Sequence, residues 1–250
     1  MEILFTIFFL IFGLIFGSFY NVVGLRVPIH ESFTEGRSMC PGCKHSLSWY
    51  ELIPVFSYIF LLGKCKRCGE KISILYPITE LATGFLFVLS YHTFGLSIEL
   101  MISLLLCSML VIVLVTDIKY MLIPNKVLLF FLPIFIILRI IEPLTPWWSS
   151  IGGAFIGTSI IAIIILVSRG GMGAGDMKLF GVLGIVLGVK HVLLAFFLSC
   201  IIGSVVGVLM LLLKVIKRKQ PVPFGPYIVI ATVITYFYGD QLINWYFNIL

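Results

Sequence analysis

Apolar runs long enough to cross a bilayer fill most of this chain, and they settle its class before any motif is read. The first extends from Ile3 to Leu25, and about 20 residues of helix cover the ~30 Å hydrocarbon core of a membrane. Further runs at 77–95, 99–116, 127–141, 150–168, 192–213 and 226–247 predict helices of the same kind. With 60% hydrophobic and 11% charged residues over 250 positions, the composition excludes a soluble domain. The first run follows Glu2 where a secretion signal has a basic segment, and it lacks a small-x-small cleavage site, so it reads as a retained transmembrane helix. One segment is short. Leu179 to Val189 offers 11 residues, about 16 Å of helix, and either crosses with the help of its flanks or enters partway.

Charge decides how that segment counts. Taken as a crossing, it gives eight helices and puts 15 of the 17 Lys and Arg residues on the side of loop 26–76, among them Arg26, Arg37, Lys119, Lys126, Arg169, Lys178 and the Lys214–Lys219 cluster. Basic loops stay in the cytosol. Only Arg139 and Lys190 fall opposite. Fusing 179–213 into one helix would move the cluster outside, so a break between the two segments is predicted. The expected fold is an all-α polytopic membrane protein of about eight helices with both termini on the outer face: helix 1–25, a loop module at 26–76 and a helical core at 77–250. The net charge of +6 is then mostly a topology signal and no argument for nucleic acid.

Loop 26–76 holds "CPGC" (Cys40, Cys43) and "CKRC" (Cys65, Cys68), with 21 residues between the pairs. Two such turns aim four thiolates at one tetrahedral ion, and a loop this small lacks the core to hold its shape otherwise. Disulfides are the alternative, but cytosolic thiols stay reduced. A closed four-thiolate zinc site is structural. Cys107 and Cys200 sit alone in apolar helices and read as small core residues. Trp49 and Tyr50 read as the small core of the zinc module before a stacking site.

Glu2, Glu99, Glu142 and Asp240 fall at predicted helix ends on the outer face. Glu80, a turn into the second helix, reads as a cap or as a site residue. Asp117 ends the third helix, and Asp176, in "GGMGAGDMKLFG", opens the sixth at the same cytosolic face. Pro124 and the glycines at 170, 171, 173 and 175 break helices beside both acids, and irregular backbone at membrane depth is tolerated where protein or a water-filled cavity covers it. Two carboxyls close together share one proton, so one member activates water while the other polarises a peptide carbonyl. That is aspartic-protease chemistry. Carboxylates in broken helices also bind the cations of ion-coupled transporters, and spacing leaves both readings open.

The stretches "GSFYNVVGLRVP" (17–28), "CPGCKHSLSWYELIPVFSY" (40–58), "GKCKRCGEKIS" (63–73), "YPITE" (76–80), "TDIKYMLIPN" (116–125), "GMGAGDMK" (171–178) and "PFGP" (223–226) together resemble the type IV prepilin peptidases, nearly end to end. The G-x-G-D element also resembles other intramembrane aspartyl proteases, including presenilin and the preflagellin peptidases. The resemblance implies a bacterial inner-membrane enzyme that cleaves the basic leader of prepilins or pseudopilins on the cytosolic side, before a hydrophobic helix, and then N-methylates the new terminus from S-adenosylmethionine. It places the catalytic pair on Asp117 and Asp176. The preflagellin enzymes lack the zinc loop, so its presence argues for methylation, with a peptidase that does not methylate as the alternative. Leu75 departs from the basic residue that many relatives carry before "YP".

Asn21, Arg26, Trp49, Glu80 and Lys178 are candidates for substrate or cofactor contacts. Arg26 and Lys178 also read as snorkelling side chains. In "PFGP", Pro223, Phe224, Gly225 and Pro226 read as a loop turn, or as an extended edge for a substrate beside the dyad. The sequence leaves homodimerisation open.

Overall fold

The computed structural model describes residues 1–32, 38–40, 42–168, 171–217 and 222–249. Arg37, Arg169, Arg218 and Lys219 of the charge argument, with Pro41 and Gly170 of the motifs, lie outside the described residues. The helices are α1 (Glu2–Arg26), α2 (Phe56–Phe60), α3 (Leu75–Phe94), α4 (Ile98–Tyr120), α5 (Asn125–Ile141), α6 (Ser149–Val167), α7 (Ala174–Leu212) and α8 (Gly225–Ile249), with 3-10 turns at Val27–Ile29 and Trp49–Leu52. Apart from two isolated bridges, the described residues contain no strand. The all-α class is as expected. Among the described residues, four helices, α1 with its 3-10 extension, α4, α6 and α7, are long and apolar enough to cross a membrane.

The chain divides into two compact units, Met1–Val115 and Thr116–Leu250. In the first, α1 packs along α3. A Cβ on Gly13 would lie 2.7 Å from Gly84 Cα, an approach that only small residues permit between membrane helices. Polar groups fasten the same unit internally: Tyr20 and Ser108 hydroxyls lie 2.6 Å apart, and Ser103 donates to Ser90 at 2.7 Å.

The second unit is built on α7. Phe180 and Phe196 would stand about 24 Å apart along a straight helix, yet their ring centroids are 5.9 Å apart. Helix α7 therefore folds back on itself. Gly188, at φ 74° and ψ 179°, makes the break, in backbone territory that side chains exclude. The predicted break is thus present, and the first arm, 174–187, starts five residues ahead of the predicted Leu179 because Gly173 N-caps it. At about 21 Å that arm is still shorter than a hydrocarbon core.

A break in a membrane helix frees backbone groups that need partners. Val189 N–H donates to Ser149 Oγ at 3.1 Å. The Val186 carbonyl accepts from Arg139 Nε at 3.1 Å and Nη2 at 2.8 Å. Arg139 is 6% exposed; the cation that the charge count placed at the outer face is buried at the turn of the α7 hairpin.

Candidate active site and cysteine cluster

Helix α4 runs one turn further than the predicted 99–116, so Asp117 lies inside its last turn, and Met121, at φ 51°, then turns the chain away. Asp176 is the third residue of α7. Each carboxyl accepts one backbone N–H, Asp117 Oδ2 from Gly225 at 2.7 Å and Asp176 Oδ2 from Gly173 at 3.2 Å. Asp176 lies in the first turn of α7, and Asp117, in the last turn of α4, has its carboxyl against the first residue of α8; a helix N-terminus favours negative charge. Asp117 is 6% and Asp176 8% exposed. Both line one cavity of about 760 Å³, together with Asn125, Lys178, Cys200 and Phe224. The two predicted acids, 59 residues apart in sequence, thus meet in one site of the second unit.

The "PFGP" motif reaches that site by another route than a loop edge. Pro223 and Phe224 line the cavity, while Gly225 and Pro226 are the first residues of α8. A Cβ on Gly225 would sit 2.6 Å from Asp117 Oδ2, so the glycine is what lets the helix end touch the carboxyl. Lys178 donates to Asn125 Oδ1 at 2.9 Å on the exposed rim of the cavity. The role of the Gly225 amide had no separate sequence signal, and neither had Cys200 as a wall of the cavity, since a lone cysteine in an apolar run looks like core.

In the first unit, Asn21 is 1% exposed. Its Nδ2 donates to Gly17 O at 3.2 Å and Tyr76 O at 3.4 Å, and its Oδ1 accepts from Thr79 at 2.7 Å. Its amide joins α1 to the start of α3. Glu80 does not cap its own helix: its Oε2 accepts the N–H of Val55, across the loop, at 2.7 Å. Arg26 donates to Ser32 O at 3.1 Å. Trp49 is 78% and Tyr50 43% exposed, which corrects the reading of the pair as the module's core. The module is held by its sulfur cluster and its short turns, which leaves the rings outside.

The four cysteines lie on two turns with the same hydrogen-bond pattern, each closed by a bridge, Met39/Ser46 and Lys64/Lys71. Cys40 N–H donates to His45 O at 3.0 Å and Cys65 N–H to Glu70 O at 2.8 Å. Residues Lys44 (φ 54°) and Gly69 (φ 72°) follow the second cysteine of each turn in the left-handed region. All four Sγ atoms lie within 4.8 Å of one another. Cys40 and Cys68 are 3.6 Å apart, Cys43 and Cys65 3.9 Å; four thiolates at 2.3 Å from a tetrahedral zinc ion have edges of about 3.8 Å. The cluster fits a metal ion. Backbone N–H groups of Cys68 and then Arg67 pull the Cys65 thiol down to about 7, while, against the backbone N–H of Glu70, burial and the neighbouring thiols push Cys68 up to about 12.

Two family models match the chain: the bacterial peptidase A24 N-terminal domain over residues 11–94 and the type IV leader peptidase family over residues 104–208. The prepilin leader peptidase/N-methyltransferase of Bacillus subtilis (strain 168) is 45% identical over 229 residues, 92% of each chain. Proteins of the same name from Aeromonas salmonicida (strain A449) and Myxococcus xanthus (strain DK1622) are 33% and 36% identical, over 85% and 84% of this chain and 75% and 64% of theirs. No solved structure matches the chain significantly.

Proposed function

The chain belongs to the type IV leader peptidase family, and on that premise we propose that it cleaves the leader of type IV prepilins or pseudopilins at the cytosolic face of a bacterial inner membrane and N-methylates the new terminus. The observation that carries the peptidase reading is the convergence of Asp117 and Asp176 on one cavity. The pair shares one proton. The ionised member takes a proton from water as the water oxygen attacks the scissile carbonyl carbon, while the protonated member donates its proton to the carbonyl oxygen; as the C–N bond breaks, the proton taken from water passes to the leaving amine and the carbonyl re-forms by returning its proton to the other carboxyl. Gly225 and Gly173 amides hold the two carboxyls in place. Lys178, Pro223 and Phe224 border the bound segment, and the leader leaves toward the cytosol.

For the methyl transfer, S-adenosylmethionine supplies an electrophilic methyl group to the freed amine. The match of the N-terminal domain model, which carries the cysteine cluster, supports this second activity. Asn21 and Glu80 shape its site from behind by fixing the module against α1 and α3, and Trp49 is the exposed aromatic available to a ligand. Cys40, Cys43, Cys65 and Cys68 hold zinc, whose role is structural because four thiolates leave no open position. Eight crossings with both termini outside complete the reading, and the α7 hairpin supports the count.

Purified protein with a prepilin tests all of this. Wild type is expected to release the leader, and mass spectrometry should find the new terminus one methyl heavier when the donor is present. Asp117→Asn and Asp176→Asn should each abolish release yet methylate a pre-cleaved substrate, with the double change adding little because the pair acts as a unit. Leader removal at a normal rate by either folded variant would overturn the dyad.

A further inference from the structure

The zinc module carries its apolar side chains outward. Helix α2 shows Phe56, Ile59 and Phe60, at positions i, i+3 and i+4 and therefore on one face, with exposures of 57%, 59% and 81%, and Leu62 follows at 84%. Water would oppose such a face on a small hydrophilic module. A lipid interface would favour it.

Two further observations say what covers this face. The first is depth. Val55, which immediately precedes α2, donates its N–H to Glu80, five residues into α3, about 7 Å along that helix, which packs against the membrane-length α1. Helix α2 is thereby tied beside α3 below the level at which the loop leaves the helix. The module leaves α1, which is long and apolar enough to cross a membrane, at Arg26, and rejoins at Leu75 the start of α3, which packs along α1. The second is charge. Between residues 38 and 74 the chain has Lys44, Lys64, Lys66, Arg67 and Lys71 against Glu51 and Glu70, and Glu51 is buried. A basic surface next to an apolar face suits anionic headgroups above an acyl boundary.

We propose that α2 and Leu62 are seated in the cytosolic leaflet, so that the cysteine cluster rides on the bilayer surface and its basic residues meet anionic lipid. Glu80 is the tether that sets the depth. The inference concerns the module's placement and stands whether or not the methylation reading holds.

The test uses the full chain with its four native tryptophans, Trp49, Trp147, Trp148 and Trp245, replaced by Phe and with Phe60→Trp as the single probe. It is reconstituted in phosphatidylcholine vesicles with and without phosphatidylglycerol. Retained zinc at one ion per chain reports an intact module. The expected result is blue-shifted emission that loses intensity with lipids brominated near the headgroup and resists aqueous acrylamide, the bromolipid effect being larger with phosphatidylglycerol. Glu80→Gln should weaken the bromolipid effect and leave zinc bound. Red-shifted emission quenched by acrylamide would show a face in water and overturn the proposal. Blue-shifted emission blind to both quenchers would show protein over the face, a second copy included, and would overturn it equally.

Discussion

Gly225 lies where any side chain would collide with Asp117. A methyl group there would stand 2.6 Å from Oδ2 and 2.9 Å from the aspartate's own Cβ, so Gly225→Ala must push the carboxyl away or retract the start of α8 and lose the 2.7 Å amide contact. A displacement near 1 Å at a reacting group costs on the order of 10²-fold in rate. The expected outcome is a loss of that order in kcat for leader cleavage, with methylation of a pre-cleaved substrate unchanged; equal loss of both would mean that the unit had unfolded. Cys200, half-buried on the same cavity wall, gives a second check. Alkylation by a bulky maleimide should block cleavage, and Cys200→Ala should cleave normally and resist the reagent. At this scale the sequence exposed the acids and the thiolates, because charge in apolar runs and paired C-x-x-C spacing are visible in one dimension. It hid the backbone amides that hold the acids. An N–H is the same in every residue, and only the fold shows which one points at a carboxylate.

Among the elements, the α7 hairpin turns on two residues from other helices. Arg139 of α5 takes the Val186 carbonyl and Ser149 of α6 takes the Val189 amide, on either side of Gly188. Arg139→Met would leave a buried carbonyl unmet and loosen the arm that carries Asp176. Cleavage should fall in kcat with KM little changed, and Arg139→Lys should recover part of it, since an ammonium provides one of the two lost bonds. Gly188→Ala meets both a φ of 74° and a Cβ only 2.5 Å from Ser149 Oγ, so thermal unfolding should show a loss above the ~1–3 kcal/mol typical of strained backbone. The break itself was legible because residues 179–213, taken as one helix, would exceed any bilayer and carry the Lys214–Lys219 cluster outward, and because Lys190 and His191 interrupt the apolar run. The start of the arm was not, because Gly-Ala-Gly ahead of Asp176 looks like loop until a cap is seen to fix it. The cysteine turns behave as a further element. Removing the metal with a strong chelator, or Cys65→Ser, should release the zinc and weaken methylation more than cleavage, read by metal analysis beside the two activities; the two activities falling in step would count against a separate role for the module.

For the whole molecule, the division at Val115/Thr116 places the cysteine module and the two aspartates in different units, alongside the division that the sequence suggested into helix 1–25, a loop module at 26–76 and a helical core at 77–250. That suggestion followed composition, where the polar loop ends. The structure divides at packing: α1, α3 and most of α4 interlock through Tyr20–Ser108 and Ser90–Ser103, contacts between positions up to 88 residues apart that no local pattern announces. The orientation of these units in a membrane rests on charge. With 15 of the 17 Lys and Arg residues on one side of an eight-helix count, moving any one helix boundary cannot reverse the bias, whereas treating α7 as a single crossing would send Lys214 and Lys217 outward. The α7 hairpin closes that route, since Phe180 beside Phe196 requires the chain to return. Reporter fusions at Lys66 and after residue 249 should therefore give opposite signals, an alkaline phosphatase active only at the C-terminal position and a cytosolic reporter active only at Lys66. A third fusion at Lys190, on the hairpin turn, should side with the C-terminus. Agreement between Lys66 and the C-terminal fusion would mean an odd number of crossings and would remove the eight-helix topology.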